Sequence, residues 1–185
     1  MYTDPQDEQF DVVDENDEVI GQTLRGIAHK DKSLIHRSIT VLVFVNNQLI
    51  LTKRSNTKDT YPGFWTASCS GHVLSGHTYE ETARRELKEE LSINVAGNLT
   101  VLGKDLIHFP QESEIMTTFR YDTLDSIIIS KEEVDAYQFY SINKGFFNEM
   151  LPNLKITPDL RFVLDRYMPP AQSNSAVVDL CALRD

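Results

Sequence analysis

The chain has 185 residues, enough for one domain with a real core, and carries 18 Lys plus Arg against 28 Asp plus Glu, a net charge of −10. A field of that sign argues against duplex nucleic acid as a partner, yet allows a small diphosphate wherever metal ions and a few local cations reverse the potential. Met1–Glu8 lacks the basic and apolar pattern of a leader, no stretch reaches the ~18 to 20 apolar residues of a membrane span, and Cys69 and Cys181 make no disulfide framework, so a reduced, cytoplasmic protein without a membrane partner is expected.

A single domain is expected over residues 1–185, with 1–9 and 171–185 flexible or peripheral. Phe10 to Ile20 carries turn residues at Asp14-Glu15-Asn16-Asp17 between short apolar runs, the pattern of a small hairpin. Ile39 to Val45 is dense in Val, Ile, Leu and Phe, and Asn46-Asn47 separates it from Gln48 to Thr52, which predicts strand, turn and strand. Tyr61-Pro62-Gly63 is a turn that delivers the chain into Trp65 to His72. Thr78 to Leu91 reads as a helix that buries Ala83, Leu87 and Leu91 at four-residue spacing, with a capping box from Thr78 to Glu81. Further strands are predicted over Asn98 to His108, Ile115 to Tyr121 and Val134 to Tyr140. A last helix from Pro158 to Tyr167 stops before Pro169-Pro170.

On the helix over Thr78 to Leu91, Glu86, Glu89 and Glu90 stand at i, i+3 and i+4 and so share one face. Each like-charged pair at that spacing opposes the helix by about 0.2 to 0.5 kcal/mol. Clustered carboxylates repay this by binding hard cations such as Mg²⁺, although an isolated acidic run is more often a solvated face. The surrounding stretch decides between the two. Gly71, Arg85, Glu86, Leu87, Glu89, Glu90 and Ile93 fall in the register of the Nudix box, which this chain resembles, while His77 and Ser92 replace an expected glutamate and glycine. The resemblance implies an α/β fold, an α/β/α sandwich with a mixed sheet and a catalytic loop-helix-loop, using Mg²⁺ or Mn²⁺ to cleave a diphosphate linkage.

His29, His36 and His72 together with Glu112 and Glu114, two apart on an extended segment, form a candidate site for Mn²⁺, Zn²⁺ or Mg²⁺. His77 and His108 are read as ordinary surface or core residues. The segments Ala28–Arg37, Thr52–Lys58 and Pro62–His72 with this set resemble the isopentenyl diphosphate isomerases, a Nudix branch. That resemblance implies metal ligation by His29, His36, His72, Glu112 and Glu114. It implies diphosphate binding by Arg25, Arg54 and Lys58, with Ser70 beside the substrate, and admits a homodimer. Three departures turn the reading away from isomerisation, one being Glu86, a hydrolase-type metal ligand where the isomerases carry another arginine against the diphosphate. Ser70 stands where the isomerases carry their cysteine acid, with Cys69 one place early and on the opposite face of a strand, and serine is a poor proton donor to carbon. The segment Ile156-Thr157-Pro158-Asp159 also lacks the tryptophan that shields the isomerase carbocation. The expected function is a Nudix hydrolase acting on a nucleotide or other organic diphosphate, with Glu86, Glu89, Glu90 and Glu114 catalytic and Glu90 or Glu114 as general base. The isomerase is the alternative, and a binding module without catalysis a third.

Overall fold

The computed structural model describes residues 5–58, 60–110 and 112–169; the tail 171–185 and Cys181 lie outside the described residues. The expected hairpin forms as β1 (Gln9–Val13) and β2 (Val19–Leu24), with Asp17 in its turn at φ 68°. The N-terminal segment is joined to the body from Gln6 onward: Glu8 O accepts from Arg25 N at 2.9 Å and Gln6 O from Gly26 N at 3.1 Å, and Gln9 already belongs to β1. Arg25 and Gly26 open a single helical turn, α1 (Arg25–Ala28), which no periodicity announces in so short a segment.

The central strand β3 (Ile35–Val45) starts at Ile35 rather than Ile39, because its polar first residues pair on both sides, His36 with Val12 of β1 and with Glu114. Asn46 and Asn47 both take positive φ, 50° and 62°, the left-handed pair that a tight hairpin turn requires and that asparagine tolerates, and they lead into β4 (Gln48–Arg54). After the turn at Gly63, φ 74°, come β5 (Trp65–Thr66) and β6 (Cys69–His72). The helix α2 (Tyr79–Leu91) has the full capping box, Thr78 and Glu81 each satisfying the other's backbone N–H. β7 (Thr100–His108), β8 (Ser113–Thr123), β9 (Val134–Tyr140) and α3 (Pro158–Tyr167) complete the order.

β3 runs parallel to β8 from Ile35↔Ser113 to Val45↔Thr123, whereas its other pairings are antiparallel, so the sheet is mixed. Strand alternation then builds two cores. Ile39, Val41 and Val43 face Ala83, Leu87 and Leu91 of α2, while Leu42 and Phe44 face Leu160, Val163 and Leu164 of α3. An α/β/α sandwich results, and no helix among the described residues is long and apolar enough to cross a membrane.

One edge of β3 is shared in turn by β1, β6 and β4, so the sheet splits where β4 and β6 diverge. Ser68 braces the split. Its hydroxyl donates to Ile50 O of β4 at 2.6 Å and accepts from Val43 N of β3 at 2.7 Å, standing in for the ladder bond those strands no longer make. Ser68 is fully buried, so Ser68→Ala would leave a donor and an acceptor unsatisfied. The expected cost is about 2 to 3 kcal/mol of stability, read as a lower denaturant midpoint.

Candidate active site

The split opens into a cleft of about 520 Å³ that receives side chains from β3, β6, β8, α2 and the first turn of α3. Glu86, Glu89 and Glu90 all line it. The side chain of Glu86 is 13% exposed, whereas Glu89 is 54% exposed and held at the rim by Arg85, 2.9 Å away. Burial pushes the Glu86 pKa up to about 7, with Arg85 opposing and Glu89 adding to the rise, and burial and the charge of Glu86 push Glu90 well up. Three carboxylates on the last two turns of a helix also meet its negative dipole end. A cation relieves all of these costs at once.

Gly71 explains how Glu86 enters the cleft. A Cβ at that position would stand 2.4 Å from Glu86 Oε1 and 2.6 Å from its Cδ, so the glycine is the space the carboxylate occupies. Because a flexible side chain can swing aside, Gly71→Ala is expected to leave Tm nearly unchanged. Displacing Glu86 should still weaken divalent-cation binding roughly tenfold, measured by calorimetry.

The second constellation comes together from four separate segments. His29 follows α1, His36 lies in β3, His72 ends β6, Glu112 immediately precedes β8 and Glu114 lies at its start. Ligand atoms of His29, His36, His72 and Glu112 lie within 4.8 Å of one another. His29 Nε2 is 3.0 Å from Glu112 Oε2 and 3.3 Å from His72 Nε2, and His72 Nε2 is 3.1 Å from Glu114 Oε1. His36 Nε2 stands 3.6 Å from both glutamates, and it and Glu112 Oε2 are buried without a well-formed hydrogen bond. The Leu34 carbonyl near His36 Nδ1, 3.4 Å, favours the tautomer that turns Nε2 inward. Ser38 Oγ donates to Glu114 Oε2 at 2.8 Å. Phe10, unmarked in the sequence, stacks on His36 and His72 with ring centroids 5.2 and 4.9 Å away, and His36 beneath it is fully buried.

Electrostatically the cluster asks for positive charge. Burial pulls the His36 pKa down, but Glu112 and Glu114 overcome it and hold it at about 9; the same carboxylates raise His72. Burial, then His72, lowers His29 to about 4. Burial also works to raise Glu112 and Glu114, yet the close approach of His36 and His72 holds both low. The donor set therefore fits a divalent ion, whose charge answers the two carboxylates and whose coordination would use the inward nitrogen of His36 and the oxygen of Glu112.

Arg25, Arg54 and Lys58 line the same cleft. Each is steadied by a neighbour: Arg25 pairs with Glu8 at 3.0 Å, Arg54 Nε donates to Thr60 O at 2.9 Å, and Lys58 pairs with Glu133. Ser70 opens on the cleft, while Cys69 is fully buried in the α2-side core, where burial pushes its thiol pKa well up. His77 is exposed, and His108 contacts Ser113 Oγ at 2.9 Å, away from the cluster. Tyr61, Phe109, Glu133 and Asp159 also reach the cleft and were not anticipated; each sits on a loop or at an element start, where no period marks it.

A split-sheet α/β/α sandwich with a glutamate helix on one side of the cleft and a histidine–carboxylate cluster within it is a Nudix-type architecture. The NUDIX domain family model matches residues 34–160, and the chain belongs to that family, in its isopentenyl diphosphate isomerase-like branch. Nudix hydrolase 3 of Arabidopsis thaliana is 32% identical over 79% of this chain and 21% of its own length. Human isopentenyl-diphosphate delta-isomerase 2 is 38% identical over 47% of this chain and 44% of its own length. The chain thus spans less than half of either relative. The crystal structure of DR0079 from Deinococcus radiodurans superposes with a TM-score of 0.76 at 25% identity, over 86% of this chain and 99% of that one.

Proposed function

We propose that the protein is a divalent-metal-dependent hydrolase that cleaves a diphosphate linkage in a nucleotide or other organic diphosphate. The observation that carries this over isomerisation is the burial of Cys69. Protonating a carbon–carbon double bond needs an acid in the cleft, and the only described thiol is sealed in the core, with Ser70 on the cleft face in its stead. A serine would have to pass through an alkoxide to serve, which makes water the better-supported acceptor.

In this reading His29, His36, His72, Glu112 and Glu114 hold one cation, and Glu86, Glu89 and Glu90 hold Mg²⁺ or Mn²⁺ beside it. Bound divalent ions supply Lewis acidity at the phosphoryl group and ease deprotonation of water. Arg25, Arg54 and Lys58 orient the diphosphate, their charges offsetting the acidic cleft locally. Of the two candidate bases Glu90 is favoured, because both oxygens of Glu114 are engaged, one by Ser38 and one by His72.

The test is to incubate the purified chain with Mg²⁺ or Mn²⁺ and either nucleoside diphosphate derivatives or isopentenyl diphosphate, following released phosphate and double-bond migration. Metal-dependent phosphate release without migration is expected. Migration at a useful rate that survives Ser70→Ala would overturn the argument from the missing acid.

A further inference from the structure

Asp159 is a cleft carboxylate that belongs to neither cation cluster. Asp159 sits in the first turn of α3, directly after Pro158, with Thr157, Pro158 and Asp159 all lining the cleft wall. Its Oδ2 accepts a long hydrogen bond, 3.3 Å, from Thr66 Oγ1, which itself accepts from Thr157 Oγ1 at 3.2 Å, and Thr157 and the backbone of Asp159 also hydrogen-bond the carboxylate. Thr66 is buried in β5, so this partner is fixed and points Asp159 from the α3 side into the same space. Tyr61 and Glu112 line the same cleft as Asp159, and burial, then the charges of those two carboxylates, raises the Tyr61 hydroxyl pKa. Phe109 and Met116 supply further wall.

A carboxylate has about four lone-pair sites, so one lining the cleft in this way can still accept from a bound ligand. A hydrocarbon group pressed against it would strip water from that oxygen and return nothing, whereas an amino or hydroxyl group would satisfy it. The aromatic walls beside it suit a flat or ring-shaped polar group. We propose that Asp159 is the residue that selects the organic half of the substrate, accepting a hydrogen bond from an amino or hydroxyl group, so that the cleft takes nucleoside-type diphosphates and rejects prenyl ones. This deepens the hydrolase reading and rests on it for the reaction, though the selection itself is a property of binding.

The experiment measures equilibrium binding by calorimetry, in Mg²⁺, of two probes that share the diphosphate and differ in the organic half: ADP and isopentenyl diphosphate, each with a methylene bridge in the diphosphate that blocks hydrolysis. Wild type is expected to favour ADP by roughly tenfold or more, since a site built to accept a hydrogen bond discriminates strongly against an analogue lacking the donor. Asp159→Leu should reduce that preference about tenfold, by losing ADP affinity and gaining isopentenyl diphosphate affinity. Asp159→Asn, close to isosteric, should weaken ADP binding with an unchanged melting curve, and it carries the test where the leucine variant fails to fold. A mere packing role would move both probes together. An unchanged ratio of the two affinities in both variants, or a wild type without preference for ADP, would overturn the assignment. Phosphate release by wild type is read separately, so failure of the hydrolase reading and failure of the Asp159 assignment give different results.

Discussion

Replacing Glu86 and Glu90 together by glutamine is expected to lower phosphate release by about 10³-fold or more, near 4 kcal/mol of transition-state stabilisation, while raising the stability of the chelator-treated protein. The two effects come from one cause. Both carboxylates are crowded into the cleft wall, where burial raises both pKa values, with Glu89 adding to that of Glu86 and Glu86 to that of Glu90, and both stand on the negative end of α2. Glutamine keeps their size and removes the charge, so the metal-free fold loses a repulsion of at least the ~0.2 to 0.5 kcal/mol of an exposed pair. Cation and substrate then lose their anchor. The measurement pairs steady-state phosphate release with denaturant unfolding in chelator. Phosphate release near the wild-type rate would remove the helix from the mechanism, and a less stable metal-free variant would show the carboxylates to be structural. Such opposition between activity and stability is what a site assembled for function produces.

Much of this framework can be read from local sequence because its signals are local. The capping box of Thr78 and Glu81, the four-residue spacing of Ala83, Leu87 and Leu91, the paired asparagines at 46 and 47, and Pro158 at a helix start each specify backbone geometry within a few residues. The helix α3 spans Pro158–Tyr167, the same bounds its flanking prolines indicate. Glu86 and Gly71 are also coupled through a motif whose spacing is fixed. What could not be read depends on where distant segments meet. Ser68 matters because β3 and β4 part company beside it, and nothing in Ala67-Ser68-Cys69 reports that. Phe10 is an ordinary apolar strand residue until the fold lays it over His36 and His72. Asp159 looks like a helix-start residue that favours the dipole, and only the approach of β5 and Tyr61 makes it a wall of the cleft.

Adding Mn²⁺ to chelator-treated protein is expected to raise Tm, and His36→Leu is expected to remove most of that rise. At a free concentration one hundred times the dissociation constant, binding to the folded state alone contributes about 2.7 kcal/mol, a shift of roughly 5 to 10 °C for a chain of this size. His36 is the right residue to remove because its side chain is fully buried, its Nε2 lacks a hydrogen bond, and it stacks on Phe10. Leucine can occupy that apolar contact, so the variant should fold. The donor set, by contrast, loses the nitrogen aimed at its centre, leaving Glu112 and Glu114 to His29 and His72 alone. The glutamine pair at 86 and 90 provides the internal control, since it should keep a Mn²⁺-dependent shift arising at the histidine cluster while losing activity. A His36→Leu variant that melts with the full shift would place tight Mn²⁺ binding on the glutamate helix instead, leaving the buried histidines to act as a polar core for the carboxylates of Glu112 and Glu114.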